Sequence, residues 1–199
     1  MKLLLFSDVH CSMEHCRELV RKSSDVDVVI GAGDLGLVRQ GLQDTIDALK
    51  TIEKPVILVP GNSESREELE EACKDWPSAV VLHGSGTEIA GVSFWGVGGG
   101  IPVTPFGDWS YDFTEQEGVE MLAGCPRGGI LITHSPPHGV LDISSAGQHF
   151  GSRAVREAIL AKNPRLCVCG HIHESSDSRD QLGDTTVVNA GPRGMFWEI

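Results

Sequence analysis

The chain has 199 residues, of which 40% are hydrophobic and 22% charged, and its formal net charge is −12. This length and composition predict one globular domain over residues 1–199, which can bury a core without disulfides or a structural metal. The excess of acidic over basic residues argues against an extended surface that binds nucleic acid, because such a surface needs clustered Lys and Arg.

The first part of the chain alternates apolar runs with segments of helical periodicity. Strands are predicted at 3–7, 26–30 and 56–59, and each is followed by a predicted helix. The third of these helices begins at a capping box, in which Ser65 precedes Glu68 by three positions. This alternation is typical of a parallel sheet with right-handed crossovers.

The pattern changes after a fourth predicted strand at 79–82, whose end residue His83 is interpreted as a turn residue. Alternating residues at 87–90 and 92–97 predict a hairpin. The loop 98–113 is rich in Gly, Pro and aromatic residues, and a loop this long inside a compact domain is usually functional or mobile. Helices are predicted after Thr114 and Ser152, and further strands at 130–133, 166–169, 185–188 and 194–199.

The six cysteines form no C-x-x-C pair, which disfavours a zinc ribbon or a thioredoxin-like site. Cys167 and Cys169 lie in an apolar run and are interpreted as small buried hydrophobes rather than as metal ligands. The amino-terminal segment lacks a signal-peptide pattern, and no apolar run reaches membrane-spanning length. These features predict a reduced, cytoplasmic protein without a membrane segment.

Five of the predicted strands end in polar side chains that can bind a metal. In an open α/β sheet, such groups gather outside the carboxyl ends of the strands. Imidazole, carboxylate and amide donors together suit Mn, Fe or Zn, whereas an all-oxygen set would favour Ca or Mg. The residues at these strand ends are Asp8 with His10, Asp34, Asn62, His134, and His171 with His173. The sequence therefore predicts a site for two divalent ions that share a bridging carboxylate.

The order Asp8-x-His10, Gly33-Asp34, Gly61-Asn62, His134 and Gly170-His171-x-His173 resembles the signature of the calcineurin-like metallophosphoesterase superfamily. Within that superfamily, the segments around His134 and His171 resemble a compact phosphodiesterase branch. The resemblance implies an α/β fold, a four-layer α/β/β/α sandwich in which two mixed β-sheets are flanked by helices.

The resemblance also implies how two metal ions are held, with manganese as the first choice and iron or zinc as alternatives. One ion would be bound by Asp8, His10 and His173, and the other by Asn62, His134 and His171. Asp34 would bridge the two ions. A hydroxide bridging them would then attack phosphorus in line.

The third motif departs from the family pattern, because Ser63 stands where the family usually has histidine. That histidine is assigned to protonating the leaving group or steadying the phosphate. A serine hydroxyl is too weakly acidic for the first role, so substrates with poor leaving groups should be affected most. His138 and His149 on later loops are candidate replacements, and ordinary surface histidines are the alternative interpretation.

The hypothesis from the sequence is a phosphoester hydrolase, and a phosphodiesterase by its family branch, acting on a small or medium substrate. A phosphoprotein phosphatase and a weakly active metal-binding scaffold are the alternatives, whereas the acidic charge disfavours a nuclease. The long loop is expected either to form one wall of the pocket, through Trp109, Tyr111 or Phe113, or to pack on itself. The sequence carries no indication of the oligomeric state.

Overall fold

The computed structural model describes all of residues 1–199 and contains two β-sheets with helices on both outer sides. The strands are β1 (Lys2–Phe6), β2 (Val28–Gly31), β3 (Val56–Leu58), β4 (Ala79–Val81), β5 (Ser85–Ile89), β6 (Val92–Val97), β7 (Ile130–Thr133), β8 (Leu166–Cys169), β9 (Ser178–Leu182), β10 (Thr185–Asn189) and β11 (Met195–Glu198). The helices are α1 (Met13–Ser23), α2 (Leu42–Leu49), α3 (Arg66–Ala72), α4 (Glu115–Leu122) and α5 (Arg153–Lys162), with a short 3-10 helix at His173–Ser175.

Both sheets are mixed, with parallel strands in the middle. The first has the order β11-β1-β2-β3-β4, and only β11 runs antiparallel to its neighbour. The second has the order β5-β6-β7-β8-β10-β9, with antiparallel strands at both edges. The predicted sandwich of two mixed sheets flanked by helices is confirmed.

The alternation of side chains along β1 shows how four layers form from one chain. Leu3 and Leu5 lie in the apolar core between the two sheets. Leu4 and Phe6 point the other way, into the core beneath α1, α2 and α3. A third core, between the second sheet and the helices α4 and α5, contains Cys167 and Cys169, and burial raises the pKa of Cys167 to about 12. Their interpretation as buried hydrophobes is confirmed.

The helix starts that the sequence predicts at Ser65 and Thr114 are present, and their capping side chains make the expected hydrogen bonds. Ser65 and Glu68 form a reciprocal capping box, and Thr114 forms another with Glu117. Strand β9 is not predicted by the sequence. It is a polar edge strand in which only Leu182 is buried, so it lacks the apolar run that marks the other strands.

The topology places the carboxyl ends of β1, β2 and β3 opposite the carboxyl ends of β7 and β8. The Gly170 N–H donates to the His134 carbonyl and connects the ends of β7 and β8, and the His171 N–H donates to Asp8 across the two sheets. No helix has both the length and the apolar character needed to cross a membrane.

Candidate metal centre

Asp8 lies directly after β1 and is buried, with 6% of its surface exposed. Its two carboxylate oxygens accept the N–H of His171, at 3.1 and 3.2 Å. A Cβ atom at Gly170 would lie 2.4 Å from Asp8 Oδ2, so a larger residue there would displace the carboxylate. The glycine before His171 is therefore required by the close approach of the two loops.

His10 and His173 face each other through their Nε2 atoms, which are 3.1 Å apart. The Nδ1 atom of His10 lies 3.1 Å from the Gly36 carbonyl, and a proton there leaves Nε2 as an acceptor. Two such nitrogens at this distance require a proton or a cation between them. The ligand atoms of His10, His173 and Asp8 all lie within 4.8 Å of one another, which suits one metal ion.

A second group of donors meets at the Asn62 side chain. Its Oδ1 lies 3.1 Å from Nε2 of His134 and 3.0 Å from Nδ1 of His171. The Nδ1 atom of His134 is 2.8 Å from the Ala32 carbonyl, so a proton on Nδ1 leaves Nε2 as an acceptor. Burial is the main cause that lowers the pKa of His171 to about 3, which keeps that ring neutral and able to bind a cation.

Asp34 lies between the two groups. Its Oδ2 is 3.5 Å from Nε2 of His10, and its Oδ1 is 3.5 Å from Nε2 of His134. Oδ1 also accepts the Ser63 N–H at 2.8 Å. One carboxylate thus presents an oxygen to each group, which is the arrangement a bridging ligand requires.

Four of these residues have backbone φ angles in the left-handed region, which non-glycine residues seldom adopt. The angles are 54° at Asp8, 43° at His10, 56° at Asp34 and 68° at His171. Such conformations cost about 1–3 kcal/mol each and persist where the surrounding structure determines them. Their concentration at the strand ends is typical of a functional site.

Glu64 is a residue of this centre that the sequence analysis missed. It is 1% exposed, and its carboxylate accepts the N–H groups of Gly61, Leu35 and Gly36, at 2.8, 3.2 and 3.0 Å. Burial and the nearby Asp34 carboxylate raise the pKa of Glu64 to about 7. Glu64 therefore holds the loop after β2 against the loop after β3. In the sequence Glu64 stands at the acidic position of the family's G-N-H-[D/E] motif, and this signal could have identified it.

The long loop 98–113 is attached to the same centre through Asn62. The Asn62 Nδ2 donates to Ser110 Oγ at 3.0 Å, and that hydroxyl donates to Asp112 Oδ1 at 2.8 Å. Asp112 Oδ2 accepts both the N–H and the hydroxyl of Thr104, at 2.9 and 2.6 Å. This network fixes the Asn62 amide so that Oδ1 faces His134 and His171.

Replacing Asp112 by Asn should lower the affinity for divalent metal by about 10-fold, the effect usual for a partner that orients a ligand. The amide has one acceptor oxygen in place of two, so either Ser110 or Thr104 loses its partner. Isothermal titration of metal-free protein with Mn²⁺ measures the effect. Asp108→Asn makes the same charge change on the same loop, and equal affinities in the two variants would contradict the orienting role.

A cavity of about 450 Å³ opens beside these residues. The buried Ser63 lines it, and the long loop contributes Phe106 and Trp109 to its wall. Of the three aromatic residues expected as candidates for this wall, Trp109 is therefore the one that lines the cavity. The rings of Tyr111 and Phe113 instead pack on His83, with centroid distances of 5.7 and 5.0 Å.

His83, interpreted from its sequence position as a turn residue, also accepts a hydrogen bond from the long loop. Its Nδ1 accepts the Gly98 N–H at 3.1 Å, which fixes the start of the long loop. Burial, with a contribution from the Arg66 charge, lowers the pKa of His83 to about 4, so the neutral acceptor form persists at neutral pH.

The two candidate replacements for the missing histidine do not line the cavity. His149 Nδ1 lies 2.7 Å from Oδ1 of the buried Asp142, and its ring packs 5.4 Å from that of His138. Their position favours the interpretation as ordinary loop histidines.

Residues 1–197 match the family model described as the calcineurin-like phosphoesterase superfamily domain. The chain belongs to this family. It is 30% identical to the uncharacterized protein MJ1162 of Methanocaldococcus jannaschii, over 98% of this chain and 90% of that protein. The fold is similar to that of TT1561 from Thermus thermophilus (TM-score 0.73, 20% identity, 96% of this chain and 88% of that chain). It is also similar to a dimetal phosphatase of Danio rerio (TM-score 0.64, 14% identity, 95% and 86%).

The family implies divalent metal ions, and the donors of this structure fit that requirement. All seven side chains predicted from the sequence come together at the facing strand ends. Imidazole nitrogens point at one another or at an amide oxygen, and buried carboxylates lie beside them. Cations placed among these atoms would satisfy the facing acceptors and balance the carboxylate charge.

Proposed function

We propose that residues 1–199 act as a single metallophosphoesterase domain that hydrolyses phosphodiesters with two divalent metal ions. The observation that supports this most strongly is the position of Asp34, with one oxygen toward each of two donor groups. A carboxylate so placed lets two cations lie close together despite their repulsion, as two-metal phosphoester chemistry requires.

In this proposal one ion is held by Asp8, His10 and His173, and Asp34 is shared by both ions. The other ion is held by Asn62, His134 and His171. Manganese is the first choice, and iron or zinc are the alternatives that imidazole donors also suit. When bound, the two ions would make water acidic enough to supply the nucleophile that attacks phosphorus, and they would place positive charge at the phosphoryl oxygens.

Hydrogen bonds with backbone groups orient the side chains that would hold the metal ions. The donation of the Ser63 N–H to Asp34 Oδ1 fixes the orientation of that carboxylate. The Nδ1 atoms of His10 and His134, next to the carbonyls of Gly36 and Ala32, fix their ring orientations. The phosphoryl group would lie in the cavity, where Ser63 occupies the place of the family's usual acid.

A diester is favoured over a monoester by the charge of the cavity wall. No Lys or Arg lines the cavity, so the metal ions would be the main source of positive charge there. A dianionic phosphomonoester, as in a phosphoprotein, would therefore be held less well than a monoanionic diester.

The test combines metal analysis with turnover of bis(p-nitrophenyl) phosphate, p-nitrophenyl phosphate and a phosphopeptide in the presence of Mn²⁺. Two bound ions with the highest kcat/KM for the diester are the expected result. Faster turnover of the phosphopeptide would favour the phosphatase alternative. Two bound ions without turnover of any substrate would favour the scaffold alternative and contradict the proposal.

Ser63→His should raise the rate for poor leaving groups, because an imidazole beside the centre can protonate a departing oxygen. We expect kcat/KM for diphenyl phosphate to rise by about 100-fold, the usual contribution of general acid catalysis. The rate for bis(p-nitrophenyl) phosphate should change little, since nitrophenolate departs without a proton.

Ser63→Ala is the matched control, and it should leave both rates nearly unchanged because the hydroxyl is not acidic enough to help. An equal increase for the two esters in Ser63→His, or an increase for neither, would show that a missing acid does not limit the reaction.

A further inference from the structure

The cavity beside the candidate metal centre has an apolar part that the proposed reaction does not use. The polar part is formed by the metal-binding candidates and by Ser63. The apolar part is formed by Leu37, Val38, Pro105, Phe106, Trp109 and Phe150. The volume of about 450 Å³ is within the range of small-molecule sites.

Two aromatic rings that stack on each other provide an aromatic face in this apolar part. Phe106 and Trp109 are stacked, with ring centroids 5.5 Å apart and an angle of 17° between the ring planes. Phe106 is 51% exposed, and Leu37 and Val38 nearby are 50% and 45% exposed. A contiguous exposed apolar surface next to a polar centre is characteristic of a ligand site.

The aromatic face is held in place relative to the metal centre. The Phe106 N–H points at Thr104 Oγ1 at 3.5 Å, and that hydroxyl donates to Asp112, which also accepts from Ser110. Ser110 in turn accepts from Asn62. A preformed face loses little conformational entropy when a ligand binds to it.

The charge of the cavity restricts what can occupy it. Its lining contains two carboxylates, Asp34 and Glu174, and no Lys or Arg. The metal ions would offset Asp34, whereas no Lys or Arg in the lining offsets the charge of Glu174. A ligand with a second phosphate or a carboxylate would therefore be repelled in this region.

We infer that the apolar part is a subsite for an uncharged, planar ring carried by one ester arm of a monoanionic phosphodiester. The ring lies against Phe106 and Trp109 while the phosphoryl group lies at the metal-binding residues. This assignment rests on the proposed function for the position of the phosphoryl group. It disfavours nucleoside polyphosphates and oligonucleotides as substrates, because no Lys or Arg lines the cavity to bind their additional phosphates.

The test measures binding with two phosphinates that carry the same single charge and have no ester bond to hydrolyse. Diphenylphosphinate and dimethylphosphinate are titrated into the Mn²⁺-loaded protein by calorimetry. We expect the diphenyl compound to bind about 10-fold tighter, from aromatic stacking and burial of apolar area. Trp109→Ala should reduce this preference to about threefold or less, and Trp109→Phe should keep most of it.

Val103→Ala is the control on the same loop, since Val103 is 59% exposed and lies outside the cavity. It should keep the full preference, with unchanged metal content in all variants. Equal binding of the two phosphinates, no detectable binding of either, or an unchanged preference in Trp109→Ala would each overturn the subsite. A preserved preference in a protein that hydrolyses no diester would contradict the proposed function alone.

Discussion

Replacing Asp34 by Ala should lower kcat/KM for bis(p-nitrophenyl) phosphate by about 1,000-fold or more, a loss of roughly 4 kcal/mol in transition-state stabilisation. Asp34 is 4% exposed and presents one oxygen to each of the two donor groups. Without it, the repulsion between two adjacent cations is no longer offset, so the metal content should fall from two ions per chain toward one. Metal analysis of the dialysed variant, together with its turnover, measures both effects.

Asp44→Ala is a suitable control, because this carboxylate is exposed on α2 and removing it makes the same change of net charge. Asp34→Asn gives a graded comparison, since the amide keeps one oxygen for one donor group. If Asp34→Ala bound two ions and kept the wild-type rate, the two-metal mechanism would be wrong.

Replacing Glu64 by Ala should lower the free energy of unfolding by about 3–5 kcal/mol, one of the larger effects expected of a single substitution. The substitution leaves three buried N–H groups, those of Gly61, Leu35 and Gly36, without their acceptor. Each unsatisfied buried donor costs about 1–3 kcal/mol, and water entering the space would recover part of that. Urea denaturation of the metal-free protein measures the change.

The same substitution should also lower metal affinity, because Glu64 holds the loop that carries Asp34 against the loop that carries Asn62. The stability and the metal affinity of Glu64→Gln should lie between those of the wild type and of Glu64→Ala. Its amide oxygen can still accept a hydrogen bond, while its NH₂ group faces an N–H. Glu88→Ala, on an exposed strand position, is the control for loss of a carboxylate. A Glu64→Ala variant as stable as Glu88→Ala would contradict the structural role of the buried carboxylate.

The proposed reaction, the phosphodiester preference and the seven assigned ligands stay predictions until such measurements are made. Seven side chains meet at the facing strand ends, and one carboxylate lies between two sets of donors. The location of the protein in the cytoplasm also stays a prediction.

The sequence by itself predicted the strands, the helices, a parallel sheet and the residues that gather at its strand ends. The four-layer fold and the assignment of ligands to each metal ion were implied by the resemblance to the superfamily. Continuous apolar runs and capping residues such as Ser65 and Thr114 are local signals, and the structure follows them closely. The metal-binding candidates could be found because each follows an apolar strand closely, and strand ends are placed together by topology. The local sequence pattern was therefore sufficient to identify candidate site residues that directly follow a strand.

Only the tertiary structure decided which loop residues serve the centre. Glu64 accepts N–H groups from the loop after β2, and His83 accepts the N–H of Gly98. Asp112 accepts from Thr104 and Ser110 within its own loop. In the same loop, Trp109 lines the cavity while Tyr111 and Phe113 pack against His83. The physical reason is that most of their partners are distant in sequence, so only the folded chain brings donor, acceptor and ring together.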